Sequence, residues 1–299
     1  MIPSVAVVVL TWNARELTLR CLGSLASSTY PRITVFVIDN GSDDRTVEAV
    51  ASAHPDVQVV ALETNRGFAG GVNAGLARAF ELGADHVFLL NNDATIEPGA
   101  IEPLVAAAGD PTVGAACSQI LREGAGTIWY AGARYDSRRG HQGRHTGHGK
   151  PALPEGTAPY TTQRACGGAM LVPRRVLERV GGLDESLFAY VEDVEWSLRA
   201  RAAGLSIVVV PASVVYHRVS AASGGASSPT SIYYALRNGL VVAERAAPLG
   251  PLGTLRRRAE AVAAFCVQAL QSNSPVSAVR AVAAGLRDAS RRRLGPREA

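Results

Sequence analysis

The sequence predicts an α/β fold in which a mostly parallel sheet is covered by helices on both faces. Over the first 120 residues, near-continuous apolar runs rich in β-branched residues alternate with helical patterns. Such runs are typical of parallel strands that are buried on both sides. Polar residues stand where the runs end, and ligands bind at the carboxyl ends of strands in such sheets. After residue 230 the pattern becomes helical, so we expect a C-terminal helical extension.

The first strand, VAVVVL, is predicted at 5–10, and a helix follows it. Asn13 with Glu16 three residues later predicts a capped start for that helix, and Leu17, Cys21 and Leu25 fall on one face. The next predicted elements are strands at 33–39, 57–62 and 86–90, a helix near 43–53, and a glycine-rich turn leading into a helix at 65–83.

Between residues 121 and 165 the periodicity is lost, and a glycine-rich, basic stretch predicts a long surface loop. His141, His145 and His148 lie in this stretch without a neighbouring cysteine or carboxylate. A solvated loop is therefore favoured over a metal site for these three residues.

Regular structure is predicted again from residue 166 onward. The pattern indicates an ordered segment at 166–173, a turn and helix within 180–204, a strand at 205–211, and helices at 231–246, 256–271 and 276–293.

The composition is that of a globular protein, with 47% apolar and 19% charged residues among 299. The net charge of +4 comes from arginine almost alone, because Lys150 is the single lysine. The first 130 residues hold no basic block, so we expect no nucleic-acid partner. Basic residues concentrate at 134–150 and 256–293, which suggests local contact with phosphates or lipid head groups.

The four cysteines and the N-terminus indicate a reduced, cytoplasmic location. Cys21, Cys117, Cys166 and Cys266 form no CxxC pair and are expected to be buried free thiols. The first residues lack the features of a signal peptide, and no apolar run is long enough to span a bilayer.

Two of the polar strand ends point to a ligand. Asp39 ends the second strand, and because Asp43 and Asp44 are better helix caps, Asp39 is free to accept a hydrogen bond from an imide or hydroxyl group. The stretch NRGFAGGVNAG at 65–75 puts glycines at a helix start, which suits either an anion or close helix packing. It is not a GxGxxG fingerprint, so a nicotinamide oxidoreductase is disfavoured.

The triplet Asn91-Asn92-Asp93 ends the fourth strand, either as an ordinary strand exit or as a metal and phosphate site. The acids of VEDVEWSLR cannot all share one site, because consecutive helical residues point in different directions. Glu195 stands four residues before Arg199 and is interpreted as a helix ion pair. Glu192 or Asp193, at the first turn, can face a cleft as a general base.

Taken together, these segments resemble family 2 glycosyltransferases of the GT-A fold, particularly the bacterial rhamnosyltransferase-like branch. The resemblance covers about residues 5–240 through VVLTWN, VIDNGSDD, NRGFAGGVNAG, LLNNDA, GGLDESLFAYVEDVEWSLRARAAG, VVYH and YYALRN. It implies a GT-A catalytic domain at 1–228, with a nucleotide half at about 1–120 and an acceptor half at about 121–228. Residues 229–299 would form the helical extension.

The resemblance also implies roles for individual residues. The triplet occupies the place of the family's DXD motif, and Asn91 replaces its first acid, so metal affinity without the donor should be weak. Arg237 and Asn238 match a signature of the branch without an assigned role. The implied set is Asp193 as catalytic base; Thr11, Asn13, Asp39, Arg66 and Asn92 for the nucleotide; Asp93, His217 and, more weakly, Asn91 for Mg²⁺ or Mn²⁺; and Gly168, Glu192 and Trp196 in the acceptor or donor-sugar pocket.

The expected reaction is therefore inverting transfer of a sugar from a UDP- or dTDP-linked donor, with dTDP-rhamnose as one candidate. The acceptor would be a glycan, a lipid-linked molecule or a small molecule. A non-catalytic nucleotide-sugar-binding protein remains an alternative, and a sugar nucleotidyltransferase is a weaker one because no lysine precedes Lys150.

The C-terminal helices carry apolar stripes beside arginines and allow two interpretations. They pack on the catalytic core or on a dimer mate, or they attach the protein peripherally to the inner face of an anionic membrane.

Overall fold

The computed structural model describes residues 1–136, 145–218 and 227–297. Within these residues one mixed sheet is covered by helices, as the sequence predicts. The strands are β1 Val5–Thr11, β2 Ile33–Asp39, β3 Gln58–Ala61, β4 His86–Asn91, β5 Ala94–Ile96, β6 Val113–Arg122, β7 Ile128–Tyr130, β8 Tyr160–Thr162, β9 Ala169–Pro173 and β10 Ser206–His217. The helices are α1 Arg15–Ala26, α2 Thr46–Ala53, α3 Gly67–Leu82, α4 Ile101–Ala108, α5 Arg174–Val180, α6 Glu192–Ala202, α7 Pro229–Ala246, α8 Pro251–Leu270 and α9 Pro275–Ser290.

The strand order places the predicted polar strand ends at one edge of the sheet. The order is β3-β2-β1-β4-β9-β6-β10-β5. β1 to β4 run parallel to one another, whereas β9 is antiparallel to both β4 and β6. Since β10 is parallel to β6, β10 runs in the same direction as β4. Thr11, Asp39, Asn91 and His217 therefore end their strands on the same side of the molecule.

The largest difference from the sequence prediction is β6. Its residues VGAACSQIL are buried throughout, but alanine, glycine and serine replace most of the β-branched residues that mark the other strands. The predicted loop at 121–165 also contains β7 and β8, which pair with β6 and β10. β10 continues past the predicted end at residue 211 and reaches His217.

The predicted cap of α1 is wrong. Asn13 lies outside the helix at φ 49°, and its Oδ1 accepts a hydrogen bond from the backbone N–H of Asp43. The first N–H of α1, that of Arg15, donates instead to Asp44 Oδ2 at 3.0 Å. Because Asp44 also accepts from the Thr46 N–H, one carboxylate satisfies donors at the starts of two helices.

The C-terminal helices pack together through a separate apolar cluster that includes Phe265, Ala269 and Val282. The thiols of Cys21, Cys117 and Cys166 are buried, Cys266 is partly exposed, and all four are free, as predicted. Among the residues that the structure describes, no helix combines the length and apolarity needed to cross a bilayer.

Candidate functional site

A cleft of about 1160 Å³ opens at the carboxyl edge of the sheet. It lies between the strand ends, the loop before α6 and the first turn of α7. Eight of the predicted site residues line it: Thr11, Asn91, Asn92, Asp93, Gly168, Glu192, Asp193 and His217. Four do not belong to its lining: Asn13, Asp39, Arg66 and Trp196.

Asp93 and His217 come together although 124 positions separate them in the chain. The antiparallel pairing of β5 with β10 sets Ala94 opposite His217, so the preceding Asp93 reaches the imidazole. His217 Nε2 donates to Asp93 Oδ1 at 2.7 Å, and both side chains are 8% exposed. Asn91 Nδ2 lies 3.5 Å from the same ring nitrogen.

These three side chains are of the types that bind a divalent cation. A carboxylate, an imidazole and an amide converge, because Asp93 Oδ1 and Asn91 Nδ2 both lie beside His217 Nε2. Within the described ranges no group of three His, Cys, Asp or Glu side chains could hold a metal ion. Phosphate oxygens and water would therefore supply the remaining ligands.

Thr11 and Asn92 are hydrogen-bonded to each other and to Thr18. Asn92 Nδ2 donates to Thr11 Oγ1 at 3.1 Å and to Thr18 Oγ1 at 3.3 Å, and the two hydroxyls lie 2.8 Å apart. The polar atoms predicted to meet the nucleotide thus hold the ends of β1 and β4 against α1.

One carboxylate oxygen of Asp39 has no hydrogen-bond partner. The residue is 2% exposed, and its Oδ2 accepts a hydrogen bond from the Ser42 N–H at 3.0 Å. Its Oδ1 is buried without a partner. A buried, unsatisfied acceptor is costly, which is consistent with the predicted contact to an imide or hydroxyl group.

Arg66 stands at the start of α3 and makes an ion pair with Glu185 at 3.0 Å. Asn40 holds the turn around it, since Asn40 Oδ1 accepts from the Arg66 N–H and Asn40 Nδ2 donates to Asn65 Oδ1 and Gly67 O. Arg66 thus lies beside the cleft, between the lining residues Asn65 and Gly67, and outside the lining itself.

The adjacent acids Glu192 and Asp193 begin α6 and face the cleft. Asp193 Oδ2 accepts from the Gly167 N–H at 3.2 Å. Burial, and secondly the charge of Asp193, raises the pKa of Glu192 to about 8, and Glu192 Oε2 has no partner. At pH 7 Glu192 therefore retains its proton.

The two other predictions in α6 have opposite outcomes. Glu195 pairs with Arg199 at 2.8 Å, as predicted from their spacing. The prediction that Trp196 lines the pocket is wrong, because its indole is 1% exposed in the core and donates to Gly181 O.

Sequence reasoning missed a cluster of cleft residues beside His217. Trp129 lies with its ring centroid 4.8 Å from that of His217, and Arg164 Nη2 donates to His145 Nε2 at 2.8 Å. Burial and Arg164 lower the pKa of His145 to about 4. His145 is thus a partly buried wall residue and not a solvated one; His148 is exposed but also lines the cleft, and His141 lies outside the described residues.

Comparisons with known proteins point to one family. Residues 6–181 match the family described as Glycosyl transferase family 2. The chain is 30% identical over 238 residues to N-acetylglucosaminyl-diphospho-decaprenol L-rhamnosyltransferase of Mycobacterium tuberculosis, covering 73% of this chain and 77% of that protein. It is 23% identical to dTDP-rhamnosyl transferase RfbF of Shigella flexneri over 215 residues, which is 70% of each chain.

The fold has a counterpart among solved structures. The mannosyltransferase PcManGT from Pyrobaculum calidifontis, solved in complex with GDP-Man and Mn²⁺, superposes with a TM-score of 0.60 at 22% identity. The match covers 97% of this chain and 76% of that one. The fold is GT-A, as the sequence resemblance implied.

Proposed function

Because the chain belongs to glycosyltransferase family 2, and is therefore a nucleotide-sugar glycosyltransferase, we propose that it transfers rhamnose from dTDP-rhamnose to an acceptor hydroxyl with inversion. The observation that carries this proposal is the cleft itself, which Asp93 and His217 line together with Asp193. Relatives named as L-rhamnosyltransferase and dTDP-rhamnosyl transferase support the choice of donor.

Asp193 acts as the general base in this proposal. It removes the acceptor hydroxyl proton while that oxygen attacks the anomeric carbon and the bond from this carbon to the diphosphate breaks. Protonated Glu192 adds no second negative charge at neutral pH, and the Gly167 N–H orients the Asp193 carboxylate.

Asp93, His217 and the weaker ligand Asn91 would hold Mg²⁺ or Mn²⁺ at the donor's diphosphate. The bound cation would offset the charge that develops on the leaving nucleoside diphosphate. The Mn²⁺ in the complex of the mannosyltransferase from Pyrobaculum calidifontis supports this assignment.

The nucleotide would lie toward β1, β2 and the start of α3. Asp39 Oδ1 is the acceptor that we assign to the imide of thymine or uracil, while Asn13 and Arg66 flank this side. Thr11 and Asn92 support the strand ends beneath it. Gly168 and Glu192 would face the sugar or the acceptor.

A thermal-shift screen tests donor and metal together. We expect dTDP and dTDP-rhamnose, at 100 times Kd with Mn²⁺, to raise Tm by about 5 °C, because such binding contributes about 2.7 kcal/mol. Without metal the shift should largely disappear.

Release of dTDP from dTDP-rhamnose should accompany binding, and binding without release would favour a non-catalytic nucleotide-sugar-binding protein. A shift with GDP-mannose alone would contradict the proposed donor.

The acceptor is proposed to be lipid-linked, with the protein attached peripherally to an anionic membrane. Leu252, Leu255, Val267 and Leu270 fall on one face of α8 and are 83%, 65%, 59% and 70% exposed. Val276 and Val279 of α9 are exposed too, as are the neighbouring Arg256 and Arg280. The decaprenol in the name of the mycobacterial relative also supports this acceptor class.

Vesicle co-sedimentation tests the membrane contact. The double substitution Leu252→Ser and Leu255→Ser should abolish binding to phosphatidylglycerol vesicles, whereas Leu82→Ser, an exposed leucine on α3, should leave it unchanged. If the double variant still sediments with vesicles, the face is not a membrane surface. If the same variant also converts a dimer to a monomer, the face is a dimer interface.

A further inference from the structure

The loop that leads into the first turn of α6 has an unusual backbone. Phe188, Tyr190 and Val191 have φ values of 66°, 65° and 74°, and none of them is glycine. A left-handed conformation is unfavourable for a β-branched residue such as Val191, and each such residue costs about 1–3 kcal/mol. Such a backbone persists only where surrounding contacts hold it.

The side chain of Asn238, on α7, holds this loop. The two N–H groups of its Nδ2 are shared among three carbonyl oxygens, Leu187 O at 2.9 Å, Ala189 O at 2.8 Å and Tyr190 O at 2.8 Å. Asn238 is fully buried, so these bonds satisfy carbonyls that water does not reach there.

Arg237 fixes the orientation of the Asn238 amide. Its Nε donates to Asn238 Oδ1 at 2.8 Å, which turns the amide nitrogen toward the loop. Its Nη2 donates to Leu187 O at 3.0 Å, and its guanidinium lies 4.9 Å from the ring centroid of Tyr234. The arginine is itself 1% exposed and is anchored by Gly295 O near the end of the described chain.

The same loop contacts the start of α3 and leads into the start of α6. Phe188 O accepts from the Ala69 N–H in the first turn of α3 at 3.2 Å. Gly67 permits this approach, because a Cβ at Gly67, with φ 73°, would lie 2.4 Å from Phe188 O. The loop then continues directly into Glu192 and Asp193. A shift of the loop carbonyls would therefore change the position of these two carboxylates relative to the glycine-rich start of α3.

We propose that Arg237 and Asn238 are positioning residues that act through the 187–191 backbone to set Asp193 relative to the bound donor. This inference rests on the proposed role of Asp193. It gives a physical function to two adjacent polar residues that touch neither the metal site nor Asp193 directly.

Two substitutions of Asn238 and one matched control test the proposal. Asn238→Ala removes the hydrogen bonds that the amide donates. Asn238→Asp keeps the side-chain volume but replaces the amide nitrogen with a carboxylate oxygen, which cannot donate to the three carbonyl oxygens. Leu240→Ala is the control, because Leu240 is fully buried on the same helix but points about 200° away around it.

Steady-state release of dTDP from dTDP-rhamnose with Mn²⁺ is measured below the Tm of every variant. We expect both Asn238 variants to lower kcat by about 30- to 100-fold while the donor KM stays within about threefold, since misplacement by about 1 Å has effects of this size. Leu240→Ala should lower Tm at least as much and keep kcat within about threefold. Amide hydrogen exchange over residues 186–193 should accelerate at least about tenfold in the Asn238 variants alone.

Three results would overturn the inference: near-normal kcat in Asn238→Asp, a donor KM that rises as much as kcat falls, or an equal kcat loss in Leu240→Ala. If the wild type releases no dTDP, the proposed transfer from dTDP-rhamnose fails, and hydrogen exchange then decides whether Asn238 holds the loop. Unchanged exchange over residues 186–193 refutes that role.

Discussion

Replacement of the buried acid Glu192 by glutamine should stabilise the protein at alkaline pH and have little effect at acid pH. Burial raises the pKa of Glu192 from 4.5 to about 8, whereas in the unfolded chain the group returns to its ordinary value. Between these two values the folded protein holds a proton that the unfolded chain has lost. Unfolding therefore releases a proton, and the stability that the neutral acid provides falls as pH rises through this window.

The size of the effect follows from the shift. Each pKa unit corresponds to about 1.36 kcal/mol, so a shift of this size in a side chain that is 7% exposed amounts to about 3–5 kcal/mol by pH 8.5. Glutamine has nearly the same shape and carries no charge at any pH. Glu192→Gln should thus exceed the wild type in unfolding free energy by about 3–5 kcal/mol at pH 8.5, and by less than about 1 kcal/mol at pH 4.5.

Urea unfolding of both proteins at several pH values between 4.5 and 8.5 measures this difference. Glu48→Gln, at an exposed position on α2, is the control and should match the wild type within about 0.5 kcal/mol at every pH. A difference between Glu192→Gln and the wild type that does not change with pH would refute the reasoning, because a pH-independent difference cannot arise from a shifted pKa.

Two further predictions concern the chemistry. Asp193→Asn should reduce turnover by about 10²- to 10⁴-fold and leave dTDP binding, measured by calorimetry, nearly intact; activity within a few-fold of wild type would exclude Asp193 as the base. His217→Ala should weaken Mn²⁺ binding in the presence of dTDP by at least about tenfold, as followed by electron paramagnetic resonance. His148→Ala, an exposed position elsewhere on the cleft wall, should not change it, and equal loss in both variants would contradict the metal assignment.

Local sequence patterns were sufficient where each residue acts with its close neighbours. The strands β1, β2 and β4 were predicted within one residue of their observed bounds, because buried parallel strands need continuous β-branched residues. The Glu195–Arg199 pair followed from helical spacing in the same way. β6 was missed, since a strand of small residues carries no local signal and is stabilised by its neighbours in the sheet.

Side-chain partners within the cleft depended on distant contacts. Thr11 and Asn92 have the residue types of nucleotide ligands, but they meet Thr18 once α1 packs beside the strand ends. Trp196 was predicted to line the sugar or acceptor pocket, but its position on α6 buries its side chain in the core.

By itself the sequence determined the family, the parallel strands and the polar residues at their ends, because these depend on periodicity and on short motifs. Only the tertiary structure decided which of those residues meet. Asp93 reaches His217 through the pairing of β5 with β10, and the proton on Glu192 depends on burial and on the adjacent charge. The contact of Asn238 with the loop before Asp193 likewise requires α7 to pack beside that loop. Hydrogen bonds depend on distance in space, and local sequence patterns do not give the distance between residues that are far apart in the chain.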